Sequence, residues 1–476
     1  MTLLWTSQAL VEATGGRPVG AMPEGITGIS IDTRTLQPGD AFYAIKGETM
    51  DGHDFATAAM AAEAALLVVA ESKLPALGRL SVPMIVVPDV LAALEKTGIA
   101  ARDRSKAKII AVTGSAGKTT TKEALRHALS AVGTVHASDK SFNNHWGVPL
   151  TLAKLPEECD YAVFEIGMNH PGEIRPLVKM VRPHVAVVTL IAAAHLGYFK
   201  NLEEIATAKA EIFEGLVPGG TALLNRDDQR WSLLVKLAKA AGVKKIEGFG
   251  EHSRAEYHLT KCRLEPGHSD IVARIAGKNV SLRIGAPGRH IVQNVLAVLG
   301  AAHLAGANVK KVAAALETLS PESGRGKRHN LKLPGGVITL IDESYNANPA
   351  SMKAAIDLLN AAPVSGNGRR IAVLGDMLEL GSHSKKLHAG LADLITETKT
   401  DLVLLAGPEM KALAETLPAG IKREYRKAVD ELVPILLETV RAGDTVMIKS
   451  SKGIGFSKLV AALINRFPAM SAEKRS

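Results

Sequence analysis

Only two cysteines, Cys159 and Cys262, occur in the 476 residues, which excludes a disulfide framework and makes a reducing compartment the natural setting. Aromatic residues are scarce at 4%, and they do not interleave with Lys and Arg into a platform for stacking bases, so no nucleic-acid partner is expected. Long apolar runs are missing: the stretch from Ala64 to Ala70 is far short of a membrane span. The first residues, Met1-Thr2-Leu3-Leu4-Trp5, carry neither the basic start nor the apolar core of a secretion signal, and Glu12 follows soon after. These absences point to a soluble, cytoplasmic protein without a membrane span, and a monomer is expected.

What is present is a mildly basic chain, 57 Lys and Arg against 48 Asp and Glu for a net charge of +9, a balance that suits an anionic ligand and equally an ordinary soluble surface. Strand-like runs alternate with alanine-rich helices through most of the sequence, the pattern of parallel sheets covered by helices. The expected fold class is therefore α/β, and the length suggests three domains. We place them at residues 1–105, 106–320 and 321–476, with a polar linker at 102–108 and a Pro/Gly boundary at 320–326. Between 255 and 284 the pattern turns to β alternation without helices, which reads as a small antiparallel insertion in the middle domain.

The strand expected at Ile109 to Thr113 runs at once into Thr113-Gly114-Ser115-Ala116-Gly117-Lys118-Thr119-Thr120 and a helix. A strand, a glycine turn and a helix start place backbone N–H groups and the positive end of a helix dipole around a phosphate. Lys118 would add a point charge at the β/γ-phosphates of a nucleotide, and Thr119 a hydroxyl for Mg²⁺. The strict phosphate-loop pattern is not met, because Val112 stands where its first glycine would be.

Ligands of open parallel sheets gather beyond the carboxyl ends of the strands. Glu165 closes the strand from Tyr161 and would aim a carboxylate at the glycine loop, where a hard cation needs oxygen; as a strand-end carboxylate it could equally be solvated. His195 follows the strand from Val185 to Leu190 and reads either as a structural residue or as a ligand. In the helix expected from Leu202 to Leu216, Lys209 falls on the apolar stripe of Leu202, Ile205, Ile212, Phe213 and Leu216. Either its ammonium snorkels to water or its surroundings favour the neutral amine, which is able to take up CO₂ as a carbamate. Periodicity leaves both open.

With these residues assembled, the chain resembles the Mur ligases, the amide-forming enzymes of peptidoglycan precursor synthesis, over essentially its full length. Their loop T-G-[ST]-x-G-K-T-[ST] is matched by Thr113 to Thr120, and their carbamylated lysine, in A-K-x-E-I-F, by Lys209 within Ala208 to Phe213. Glu165 and His195 match the family's Mg²⁺ ligands, Asn143-Asn144 with Gly147 its N-N-x-x-G segment beside the substrate, and Asn294 its adenine-contacting asparagine. Gly324-Arg325 resembles the interdomain G-R motif whose arginine reaches the nucleotide phosphates. The run Asp342-Glu343-Ser344-Tyr345-Asn346-Ala347-Asn348-Pro349 resembles that of the D-alanyl-D-alanine-adding branch, and the D-N-P-R segment of diaminopimelate-adding relatives is absent. Asp32-Thr33-Arg34, Lys46-Gly47 and Asp51-Gly52-His53-Asp54-Phe55 resemble that branch's uridine-nucleotide-binding segments, and Gly167 to Ile174 its central-domain loop. One departure stands near the end, Lys449-Ser450-Ser451-Lys452 in place of K-G-S-R; Arg to Lys loses a bidentate fork, so no catalytic role is expected there.

The resemblance implies a first domain that binds the uridine nucleotide, a central phosphate-loop domain and a Rossmann-like third domain. It implies ATP, two Mg²⁺ ions and CO₂ for lysine carbamylation, with UDP-N-acetylmuramoyl-tripeptide and D-alanyl-D-alanine as substrates. By the same resemblance Lys118, Lys209, Arg325 and Asp342 are catalytic. Thr119, Glu165, His195 and Lys209 hold metal, while Asn294, Arg325, Asp342, Tyr345 and Asn346 join Thr113 to Thr120 at the nucleotide. Asp32, Thr33, Arg34, Lys46, Gly47, Asp51, His53, Phe55, Asn143, Asn144 and Asn348 face the other substrates. Two alternatives remain: a phosphate-loop NTPase serving as a switch or transport module, against which the segment Tyr345 to Pro349 speaks, and a different Mur-type or folylpolyglutamate-type ligase, of which the folate ligases lack such a uridine-binding segment.

Overall fold

A computed structural model describes residues 2–78, 81–139 and 141–470. Three mainly parallel sheets follow one another along the chain. The first has the spatial order Arg17–Val19, Met84–Val87, Leu66–Ala70, Asp40–Tyr43, Gly28–Ser30, with only Arg17–Val19 antiparallel to its neighbour. Its inner strand Leu66–Ala70 is apolar at nearly every position because helices cover a parallel sheet on both faces, and Leu66 through Val69 are fully buried.

The central sheet is built on Lys108–Thr113, flanked by Val185–Val188 and Tyr161–Glu165 in parallel. Beyond Val185–Val188 it continues through Thr221–Asn225 and Lys245–Gly250. The β-alternating stretch is present as three antiparallel strands, Tyr257–Leu264, Ser269–Ile275 and Lys278–Ile284, that extend this same sheet. Ser269–Ile275 alternates buried and half-buried residues along its length, as expected of a strand with one face on the core. The third sheet has the order Lys327–Leu333, Gly336–Glu343, Thr445–Lys449, Arg370–Gly375, Leu402–Ala406, Lys422–Arg426, antiparallel only at the first pair.

Two expectations are corrected. The polar stretch at 102–108 is no free linker: Arg102 to Arg104 complete the helix Val90–Arg104, capped by the Asp89 side chain on Ala92 N–H at 2.7 Å. Buried Arg102 donates to the carbonyls of Val181 and Arg182, both at 2.8 Å, which are left without helical partners where the helix Ile174–Val181 ends. The helix expected from Leu202 to Leu216 also stops early, at Leu202–Ala210, and tightens into a 3₁₀ turn, Glu211–Gly215. Glu211 accepts the backbone N–H groups of Gly172 and Arg175, at 2.7 and 3.1 Å, satisfying donors at the start of the neighbouring helix.

One apolar core runs without a break from the first sheet into the near face of the central one, through Leu94, Ala101, Val148 and Leu152. Trp5 joins it, donating its indole N–H to Ala153 O at 2.9 Å beneath the Arg104 guanidinium. The third sheet instead has its own core on each face. The first two blocks are thus fused, and the third meets the central block across polar loops.

Candidate active site

Those loops enclose a cavity of 480 Å³ between the central and third sheets. Ser115 to Thr120 form one wall, between the strand Lys108–Thr113 and the helix Lys118–Leu129. Gly117 has φ +82°, and a Cβ there would lie 2.5 Å from Asn294 Oδ1, so glycine lets the turn pass under the helix Arg289–Leu304. Lys118 Nζ donates to Gly114 O at 2.8 Å, folding its charge over the loop. Thr113 and Gly114 lie beneath the wall and do not line the cavity.

Beside the loop, Thr119 Oγ1 donates to Glu165 Oε2 and Asn143 Nδ2 to Glu165 Oε1, both at 2.7 Å. Glu165 is 1% exposed; it is a buried, hydrogen-bonded carboxylate rather than a solvated strand end. Its oxygens and the Thr119 hydroxyl are hard donors of the kind Mg²⁺ takes. His195 lines the same cavity, and its Nδ1 is bonded to Glu379 of the third block. Among the described residues, no three His, Cys, Asp or Glu side chains are gathered closely enough to hold a metal by themselves.

Lys209 is 1% exposed, so its ammonium does not escape to water. Burial first, and then the nearby Lys118 charge, hold its amine well below the ordinary lysine range. Enclosure lowers Lys118 as well, with Glu165 opposing the shift.

The third block closes the other side. Asn348 caps the helix Pro349–Ala361 and donates its Nδ2 to Ser115 O at 3.1 Å, a direct bond onto the glycine loop. Arg325 lies over the Tyr345 ring at 4.2 Å and reaches Ser141 Oγ at 3.3 Å. Tyr345 and Asn346 face the cavity. Asp342 does not: its buried carboxylate accepts from Gly324 N at 2.7 Å and Ser344 Oγ at 2.6 Å, tying the Gly324-Arg325 turn to the Ser344-Tyr345 loop. Asn144 likewise serves a turn, accepting Gly147 N–H at 2.9 Å.

The first-block residues stand apart from this cavity, at the carboxyl edge of their own sheet. Asp32, Thr33 and Arg34 follow Gly28–Ser30, and Lys46 and Gly47 follow Asp40–Tyr43. Arg34 pairs with Asp32 in solvent. His53 is buried, with Nδ1 2.6 Å from Asp51 and Nε2 accepting Ala70 N–H at 2.9 Å, so that it ties neighbouring loops together. Burial would raise the Asp51 carboxyl, but Lys73 and His53 outweigh it and hold it below the usual range. Phe55 remains on the surface.

Lys449 is the residue that sequence reasoning set aside. It lines the cavity, is 2% exposed, and donates to Glu343 Oε2 at 3.1 Å and Asn346 O at 2.9 Å. A lysine closing the inner strand Thr445–Lys449 was the available signal. His290 and Asn225 also line the cavity without having been singled out.

A glycine loop joining a parallel strand to a helix, faced by a second α/β domain, defines a phosphate-loop α/β enzyme with a site shared between domains. Within that class the chain belongs to the Mur ligase family. Residues 25–102 match the model described as Mur ligase family, catalytic domain, 112–302 the Mur ligase middle domain, and 324–452 the Mur ligase glutamate ligase domain. The UDP-N-acetylmuramoyl-tripeptide--D-alanyl-D-alanine ligase of Rickettsia prowazekii is 32% identical, over 96% of this chain and 99% of that one. The enzyme of the same name from Escherichia coli is 33% identical, over 91% and 93%. A crystal structure of MurF from Acinetobacter baumannii, 31% identical, superposes with a TM-score of 0.83 over 97% of this chain and 99% of its own.

Proposed function

We propose that this chain is an ATP-dependent amide ligase that joins D-alanyl-D-alanine to the terminal carboxylate of UDP-N-acetylmuramoyl-tripeptide, with ADP and phosphate as the other products. Full-length similarity to ligases of that name supports the reaction. The observation that supports the site is Asn348 bonded across the cavity to the glycine loop, so that Tyr345, Asn346 and Asn348 of the third block face the loop on which phosphates would sit.

A carboxylate is a poor acyl donor because oxide would have to leave. Its oxygen instead attacks the γ-phosphorus, ADP departs, and an acyl phosphate forms; the free amine of the dipeptide then attacks the carbonyl carbon, phosphate leaves with the C–O electrons, and the nitrogen sheds its proton. In this reading Lys118 and the loop N–H groups hold the transferring phosphoryl group, and Arg325 balances its charge from the third block. Asn294 and Tyr345 border the nucleotide. Thr119, Glu165 and His195 are the residues that would hold Mg²⁺, which supplies electrostatic stabilisation of the phosphoryl oxygens when bound. Buried Lys209, whose hold on its proton is weakened by enclosure and by Lys118, is suited to carbamylation, which would set an anion where the free side chain is an amine. Asp342 acts by fixing the Arg325 turn. The Asp32, Lys46 and Asp51 segments of residues 1–105 receive the uridine nucleotide, residues 106–320 the ATP, and residues 321–476 complete the site, as a monomer in the cytoplasm.

Oxygen-18 in the tripeptide's terminal carboxylate tests the chemistry. One labelled oxygen should appear in the released phosphate and one should remain in the amide; phosphate free of label would rule out the acyl phosphate.

A further inference from the structure

Five non-glycine residues among those described have a left-handed backbone, and two of them, His195 at φ +58° and Glu379 at φ +63°, touch each other across the boundary between the central and third blocks. Such a backbone is costly for a residue with a side chain and persists where its surroundings hold it. Here each loop holds the other. The Glu379 carboxylate takes His195 Nδ1, while the Glu379 carbonyl accepts Gly197 N–H at 2.9 Å. Two glycines permit the approach: a Cβ at Gly381 would lie 2.8 Å from Gly197 Cα, and one at Gly197 would lie 3.3 Å from Gly381 N. A carboxylate accepting at Nδ1 places the imidazole proton there and leaves the lone pair on Nε2.

We propose that Glu379 is a positioning residue of the third domain that latches onto the His195 loop when the domains close, setting the imidazole's tautomer and orientation at the same moment. Before closure the His195 loop lacks this partner, so the cavity wall is complete only when the third domain is in place. This rests on the ligase reading for its kinetic consequence, but the latch itself is a matter of domain position.

The test uses the full chain with Glu379→Ala and Glu379→Gln, the latter keeping a side-chain oxygen that can accept from Nδ1–H. Small-angle scattering is recorded with and without a non-hydrolysable ATP analogue, Mg²⁺ and UDP-N-acetylmuramoyl-tripeptide, beside steady-state kinetics and thermal melts. Glu379→Ala should lose most of the ligand-induced compaction and drop at least tenfold in kcat. Its KM for the UDP substrate should stay within about twofold and its melting temperature near the parent's, with Glu379→Gln between the two. An alanine variant that compacts and turns over like the parent overturns the latch, as does a loss of kcat explained wholly by unfolding. Because compaction is read without D-alanyl-D-alanine, it decides the latch even if the parent proves to use another acceptor.

Discussion

In the proposed ligase, Lys118, Lys209 and Glu165 link burial to the chemistry of the site. Two lysines and a carboxylate share a partly dry space, so the charges must be balanced by a ligand or by loss of a proton. Removing Lys118 as Lys118→Ala should lower kcat on the order of a thousandfold with the fold intact, as measured by phosphate release and circular dichroism. Lys209→Ala should nearly abolish ligation and recover in part with a small carboxylic acid such as formate; full activity without rescue would remove the carbamate from the account. Gly117→Ala meets both a positive φ and the Asn294 side chain, a strain of about 1–3 kcal/mol. The KM for ATP should rise roughly tenfold or more, while the KM for the UDP substrate moves little. Asp32→Ala should do the reverse.

Elements explain where sequence reading succeeded and where it fell short. The strand Tyr161–Glu165 was legible to the residue, because parallel strands buried on both faces read as unbroken apolar runs ended by a polar residue. The edge strand Lys422–Arg426 was missed, since its sequence KREYR is polar throughout and only pairing with Leu402–Ala406 makes it a strand. The end of the Lys209 helix was missed for a related reason: Glu211 leaves the helical pattern to serve backbone donors 36 and 39 residues away. Partners distant in sequence leave no periodic trace. The gathering of Thr119, Asn143 and Glu165 follows from strand order and was approachable, whereas the turn-fixing role of Asp342 depends on two loops that meet only in space.

His184 gives the junction of elements a pH dependence. Its Nδ1 accepts Ile109 N–H at 3.0 Å at the start of the central strand, and burial, then Arg102 and Lys108, lower its pKa from 6.5 to about 4. Because the folded value lies below the unfolded one, its contribution is complete above pH 6.5 and declines as pH falls toward 4. Urea midpoints should fall across that window, and His184→Asn should flatten the slope.

At the scale of the whole molecule, the continuous core makes the first and central blocks one body, and the polar cavity makes the third a partner that can part from it. Arg102 is a pin within the fused body: Arg102→Met should cost about 2 kcal/mol in urea unfolding by leaving two carbonyls unpaired. Among the described residues no helix is long and apolar enough to cross a membrane. In the proposed reaction the acyl phosphate must be shielded from water until the amine arrives, so a site completed by two bodies would be a means of timing. The most direct measurement of the central claim is product formation with ATP, UDP-N-acetylmuramoyl-tripeptide and D-alanyl-D-alanine, each omitted in turn, followed by mass spectrometry and phosphate release. The account predicts one phosphate per UDP-N-acetylmuramoyl-pentapeptide and no pentapeptide when any of the three is missing. Phosphate release that ignores the dipeptide, or a single amino acid ligated in its place, would contradict it.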